Sequence, residues 1–282
     1  MIRAARSLAV IAAVVLAVVA LTGGISWLGH RASGGPGDPR PSPGRNLDLE
    51  LSYVGLTPAG PRLFTETHAV PGSRDPALTV AIRALLTDSP RDDDYRNYLL
   101  RSHLHAKAVE RDGTITIDFS APPQRGSDMS DATVRMVVQA LVHTADSAVG
   151  SEVPVRFAVA GKPVSSLLGV DTSRSIEPVD DSSVISPVAI DSPGETSLTR
   201  GDGAVRGRAS TADGRVHWAV YEDAARPVAS GRSEPGRCCE LVPFTFRLPD
   251  LAPGAYTLVV GDGPDLTSDS TTVDTKHFGV PR

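Results

Sequence analysis

Two cysteines in 282 residues are too few for a disulfide-dense scaffold, and glycine without a triplet period excludes a collagen-like chain. Lysine is scarcer than arginine by far. Only Lys107, Lys162 and Lys276 occur, a bias read as GC-rich coding rather than as function. The formal charge of -5 provides no concentrated basic face to displace counterions from phosphates, so a dedicated nucleic-acid binder is disfavoured. Sequence patterns for a nucleophile elbow, SxxK, HExxH, a phosphate-cradling glycine loop and paired Cys/His chemistry are all missing, which points away from an enzyme. What remains is ordinary for folded protein: 40% hydrophobic and 22% charged residues, enough for about two modest domains.

The apolar residues are unevenly placed. Arg3 and Arg6 precede an uncharged stretch from Ser7 to Gly29 that, as a helix, is long enough to cross a hydrocarbon core of roughly 30 Å. Residues 1–31 are therefore expected to be a membrane anchor with a cytoplasmic start and an exported C-terminal body. The alternative is a secretory signal cleaved after Ala20, with Val18 at minus three. No Cys follows this stretch, so lipoprotein attachment there is excluded. Residues 32–45, rich in Gly and Pro, read as a stalk, and 173–184, rich in Ser and acidic residues, as a linker between two bodies.

In the first body, 46–172, Leu47, Leu49 and Leu51 alternate as a strand, with Arg62 to Val70 as hairpin partner. Asp75-Pro76 reads as N-cap and first-turn proline of a helix carrying Leu78, Ala81, Ile82, Leu85 and Leu86 on one face. Asp112-Gly113 between two alternating runs predicts a type I′ hairpin. A second helix starts at Ser130, and Val153 to Val159 forms a strand in which Pro154 marks an edge or a start. These elements predict a small two-layer α/β domain with both helices on one face. The second body, 185–282, shows short alternating segments at regular spacing and predicts a β-sandwich.

The segments TVAIRALLTDSP, VERDGTITIDFS, QALVHTADSAVG and VPVRFAVAGKPV, in that order, resemble the GerMN (sporulation and spore germination) family over residues 47 to 170. VHWAVYEDAARPVASG, CCELVPFTFRLPDLAPGAYTLVV and VDTKHFGV resemble the immunoglobulin-like Gmad2 domain that accompanies GerMN in bacterial envelope proteins. The resemblance implies a non-enzymatic extracytoplasmic binding and assembly protein of the cell envelope. Its partners would be envelope proteins or polymers and, because GerMN domains are similar to ring builders, a second copy of itself. No cofactor is implied.

Individual residues carry weaker signals. Cys238 and Cys239 are adjacent, and a vicinal disulfide there would need a distorted turn, since neighbouring Cα atoms lie about 3.8 Å apart. They are read as turn-shaping thiols, with a redox sensor as the alternative. Trp218 is expected in the sandwich core, His103 and His105 on one strand face, and Asp92-Asp93-Asp94 and Asp262/Asp265/Asp269 on a solvated acidic surface. A wall-modifying enzyme or its activator is the rival from another class and would need converging carboxylates in a cleft.

Overall fold

A computed structural model describes residues 46–100, 103–179, 181–200, 203–222, 226–235 and 241–282. The expected N-terminal anchor and stalk lie outside the described residues. Among the described residues, no helix is long and apolar enough to cross a membrane.

The chain is dominated by β-structure, with few helices. It opens with β1 (Asn46–Thr57) and β2 (Gly60–Pro71), antiparallel from Asn46↔Pro71 to Thr57↔Gly60. Leu49 and Leu51 face the core as the alternation predicts, and from Ser52 to Gly55 both faces of β1 are buried. Helix α1 (Ala77–Thr87) buries Leu78, Ala81, Ile82, Leu85 and Leu86. Its cap differs from expectation. Pro76, with ψ 147, occupies the N-cap itself, and no side chain caps the helix. The Asp75 carboxylate instead binds the Arg83 guanidinium, which also reaches the carbonyl of Ala106 at 3.0 Å.

After α1 come β3 (Tyr95–Arg96), β4 (Ala106–Arg111) and β5 (Thr114–Phe119). The β4–β5 turn is the expected two-residue hairpin, with Asp112 at φ 51 and Gly113 at φ 68. Helix α2 (Asp131–Val149) begins at Ser130, whose Oγ accepts from the Thr133 amide at 3.1 Å, and ends at left-handed Gly150. Then β6 (Val155–Val159) runs parallel to β5, β7 (Lys162–Pro163) returns beside it, and β8 (Ser166–Leu167) and β9 (Val170–Asp171) form a small hairpin. Pro154 thus marks a strand start rather than an edge.

The strands of this body form two main sheets, β2-β1-β3 and β4-β5-β6-β7, rather than one layer. β3 occupies the edge of β1 opposite β2, through Val54↔Arg96 and Gly55↔Tyr95, so β4 cannot extend that sheet. Helix α1 bridges the gap by touching β1 and β4, while α2 lies on β1 and β2. One hydrophobic core joins all of them.

Residues 173–179 are laid against this body. Ile176 exchanges backbone bonds with Val155, and the Gln139 side chain donates to the Glu177 carbonyl and accepts from the Val179 amide. Past the short α3 (Asp181–Val184), the Ser186 amide donates to the Leu63 carbonyl at 2.8 Å. Two sheets follow. One has the order β10 (Val188–Ser192), β12 (Ala204–Ala209), β15 (Val242–Arg247); the other β11 (Ser197–Leu198), β17 (Val273–Val280), β16 (Gly254–Gly261), β13 (Val216–Tyr221), β14 (Pro227–Ser233). Val205, Phe244 and Ile190 of the first pack on Val220, Leu258, Val260 and Phe278 of the second, which is the expected sandwich. Trp218 lies in this core, stacked on Phe246 with centroids 4.9 Å apart. Gly231 faces it across the strand pair, where an added Cβ would come within 2.6 Å of the indole ring.

Candidate functional site

Strand β17 alternates strictly, burying Asp274, Lys276, Phe278 and Val280 while the residues between them are less covered. Phe278 and Val280 enter the sandwich core, and their row ends in a carboxylate and an ammonium. These two charged side chains meet the loop after α1. The Lys276 Nζ donates to the Asp92 carboxylate, to the Tyr95 hydroxyl at 3.1 Å and to Asp274 Oδ2 at 3.5 Å. Tyr95 in turn donates to Asp274 Oδ1 at 2.9 Å, and the Ile190 amide of β10 donates to Asp274 Oδ2 at 2.6 Å. Beside them the Thr275 hydroxyl donates to Asp94. The side chains of Asp92, Asp274 and Lys276 are 3%, 1% and 7% exposed, so water contributes little to their solvation.

Two carboxylates to one ammonium leave an excess of one negative charge. Burial pushes the Asp274 carboxyl up to about 6, against the opposing pull of Lys276. Burial likewise raises Asp92, again opposed by Lys276. Burial alone would lower Lys276, but the attraction of Asp274 and Asp92 outweighs it and holds the ammonium above its ordinary range. Tyr95 is raised well above the usual phenol range, first by burial and then by Asp274, and stays a donor.

A second set of polar groups fixes the loop that presents Asp92. The Glu66 carboxylate of β2 accepts from the amides of Arg91 at 2.9 Å and Asp92 at 3.0 Å. His68 lies 2.8 Å from Glu66 and 3.4 Å from the hydroxyl of buried Tyr53. On the far side of the loop the Asn97 amide donates to the carbonyls of Leu85 and Asp88, closing the end of α1. Asp92 is therefore held from both strand and helix before Lys276 reaches it.

Among the described residues, the α/β body presents a cleft and an open sheet face. A cleft of about 560 Å³ runs beside the same loop, lined in part by Arg96, Tyr98, Gln124 and Asp128. The sheet β4-β5-β6-β7 buries Ala108, Ile115, Ile117, Val155 and Phe157 on one face. Its other face displays Lys107, Val109, Arg111, Thr116 and Arg156 to solvent, with Val109 45% exposed. Asp112 and Asp118 line the same surface, so three cations and two carboxylates surround the exposed Val109.

The residues singled out from sequence are not gathered here. Cys238 and Cys239 lie outside the described residues. His103 and His105 are both exposed and precede β4, with His103 at φ 46, so they do not share a strand face. The expected solvated surface at 92–94 is corrected: Asp93 and Asp94 are exposed, but Asp92 is buried because Lys276 compensates its charge. Asp262 and Asp265 organise their loop, Asp262 accepting from the Thr272 amide at 2.8 Å and Asp265 from the Thr267 amide at 3.0 Å. The cluster around Lys276 was missed. Its signal was present in VDTKHFGV, where the period that puts Phe278 and Val280 inward also puts Asp274 and Lys276 inward.

A family model described as "Germane: Sporulation and spore germination" matches residues 55–165, from the second half of β1 to just past β7. The expected GerMN resemblance thus falls on the α/β body. Among solved structures, the tandem GerMN domains of the sporulation protein GerM from Bacillus subtilis are similar at 14% identity and a TM-score of 0.38, over 72% of this chain and 61% of that one. The chain spans less than two thirds of that structure. No curated protein matches it.

Proposed function

We propose that the chain is a non-enzymatic, membrane-anchored binding and assembly protein of the bacterial cell envelope, exposed outside the cytoplasm and serving sporulation or germination. The observation that carries this reading is the one-sided sheet inside the family-matched segment, with Lys107, Val109, Arg111 and Arg156 on its open face. A sheet with helices on one side only leaves a flat, regular surface for recognition. The sandwich, read as a Gmad2-like immunoglobulin domain, is joined through the buried Lys276 cluster to the loop after α1 and to β3, which leaves the open face of the β4-β5-β6-β7 sheet free. Residues 1–31 tether the unit and 32–45 set its distance from the membrane. Assembly proceeds through the open face, onto another copy or an envelope partner.

The test is a photo-crosslinking residue at position 109 of the full chain in its native membrane, with position 228 on β14 as control. Adducts specific to position 109, weakened by combined replacement of Lys107, Arg111 and Arg156 with Ser, are expected. Adducts no more abundant than at the control would refute the proposed docking face.

A further inference from the structure

We propose that the Asp92–Lys276–Asp274–Tyr95 cluster is a proton-controlled clasp: uptake of one proton tightens the junction between the α/β body and the sandwich, and its release loosens it. The composition of the junction carries the inference. With both acids ionised, one negative charge is left over in a space almost closed to water, an arrangement costly in a low-dielectric interior. Protonating one acid leaves a neutral set of one ammonium, one carboxylate and one carboxylic acid. The alternative relief is separation, which lets water reach the surplus charge.

Among the described residues, no other cation is in place to cancel that surplus. From β17 the facing charged groups are Asp274 and Lys276; from the loop after α1 they are Asp92, Tyr95 and, through Thr275, Asp94. β2 contributes Glu66, whose field also reaches Tyr95, and β10 contributes the Ile190 amide. On the opposite surface of β17, His277 pairs with Glu195 at 2.9 Å, and Asp191 of β10 lies 3.7 Å from Arg208. Tyr95 and Lys276 keep their protons throughout the physiological range, so the exchanging proton belongs to the acid pair, chiefly Asp274.

The direction follows from linkage. A carboxyl with a raised affinity for its proton when the junction is closed favours closure at low pH, and loses that contribution as pH rises from its ordinary 3.8 through about 6. The closed state is then favoured about tenfold more at about pH 5 than at about pH 7.5.

Hydrogen–deuterium exchange on the full chain in detergent, corrected for the intrinsic pH dependence of exchange, reads this directly in peptides covering 88–96 and 188–192. About tenfold stronger protection at the lower pH is expected there, with the β4–β5 hairpin unchanged. Asp274→Asn, which removes the surplus charge permanently, should be protected to the same degree at both pH values. Equal protection of the wild-type junction at both pH values would overturn the clasp, as would a pH difference that survives in Asp274→Asn. The readout needs no docking partner, so it stands or falls apart from the proposed assembly role.

Discussion

Replacing Lys276 by Met keeps the length and most of the apolar stem of the side chain but removes the only ammonium in the buried cluster. Asp92 loses its salt-bridge partner and keeps the Asp94 amide, and Asp274 keeps only Tyr95 and the amides of Ile190 and Thr275 as donors. Breaking one side of a buried pair typically costs about 3–5 kcal/mol, because the charge left behind is uncompensated. For a folded unit of this size that corresponds to a fall in melting temperature of roughly 10 °C. Urea unfolding near neutral pH, followed by circular dichroism, measures the loss. The deficit should shrink on acidification, since protonation of Asp274 and Asp92 removes the charges that Lys276 no longer balances. Asp274→Asn in the same background should recover part of it. A loss below about 1 kcal/mol at neutral pH would show that water solvates the cluster, and the buried-charge reasoning would be wrong.

Other outcomes follow from the same structure. Glu66→Gln removes the charged acceptor of the Arg91 and Asp92 amides and should cost about 1.5–3 kcal/mol, with faster amide exchange confined first to the loop 91–95. Ser130→Ala should lower stability by about 1 kcal/mol in thermal unfolding by losing the cap of α2, whereas Asp75→Ala should leave the start of α1 intact because Asp75 does not cap it. Gly231→Ala places a methyl against the Trp218 ring and should destabilise the sandwich by about 1–3 kcal/mol in chemical denaturation. An unchanged midpoint in Glu66→Gln, Ser130→Ala or Gly231→Ala would contradict the contact assigned to it.

The local elements were legible because their signals are local. The Asp112-Gly113 turn, the Ser130 cap and the alternation of β12, β13, β15, β16 and β17 depend on neighbours within a few residues, and the structure places them where the sequence indicates. Pairings across long separations were less accessible. That β3 takes the free edge of β1, dividing the strands between two sheets, depends on a two-residue strand with no periodicity of its own. Asp92 reads as one of three consecutive acids on a solvated surface, and only a partner 184 residues away makes it a buried one. Lys276 illustrates the same limit from the other side. The scarcity of lysine concerns the whole chain and says nothing about where the few that remain are spent.

The span of the Lys276–Asp92 contact also orders the folding of the chain. The core of the α/β body draws its side chains from residues up to Val184, well before β17, so it can consolidate from contacts available early. Closing a loop of 184 residues carries a larger entropic cost than forming the hairpins and helices within it. Asp92 and the Tyr95 hydroxyl therefore stay without their sandwich partners until Asp274 and Lys276 arrive, although the Tyr95 ring already stacks on Phe64 in the α/β core. The junction is the last part of the molecule to set, and a chain arrested before β17 would keep its first domain folded with an acidic patch where the finished protein has an interface.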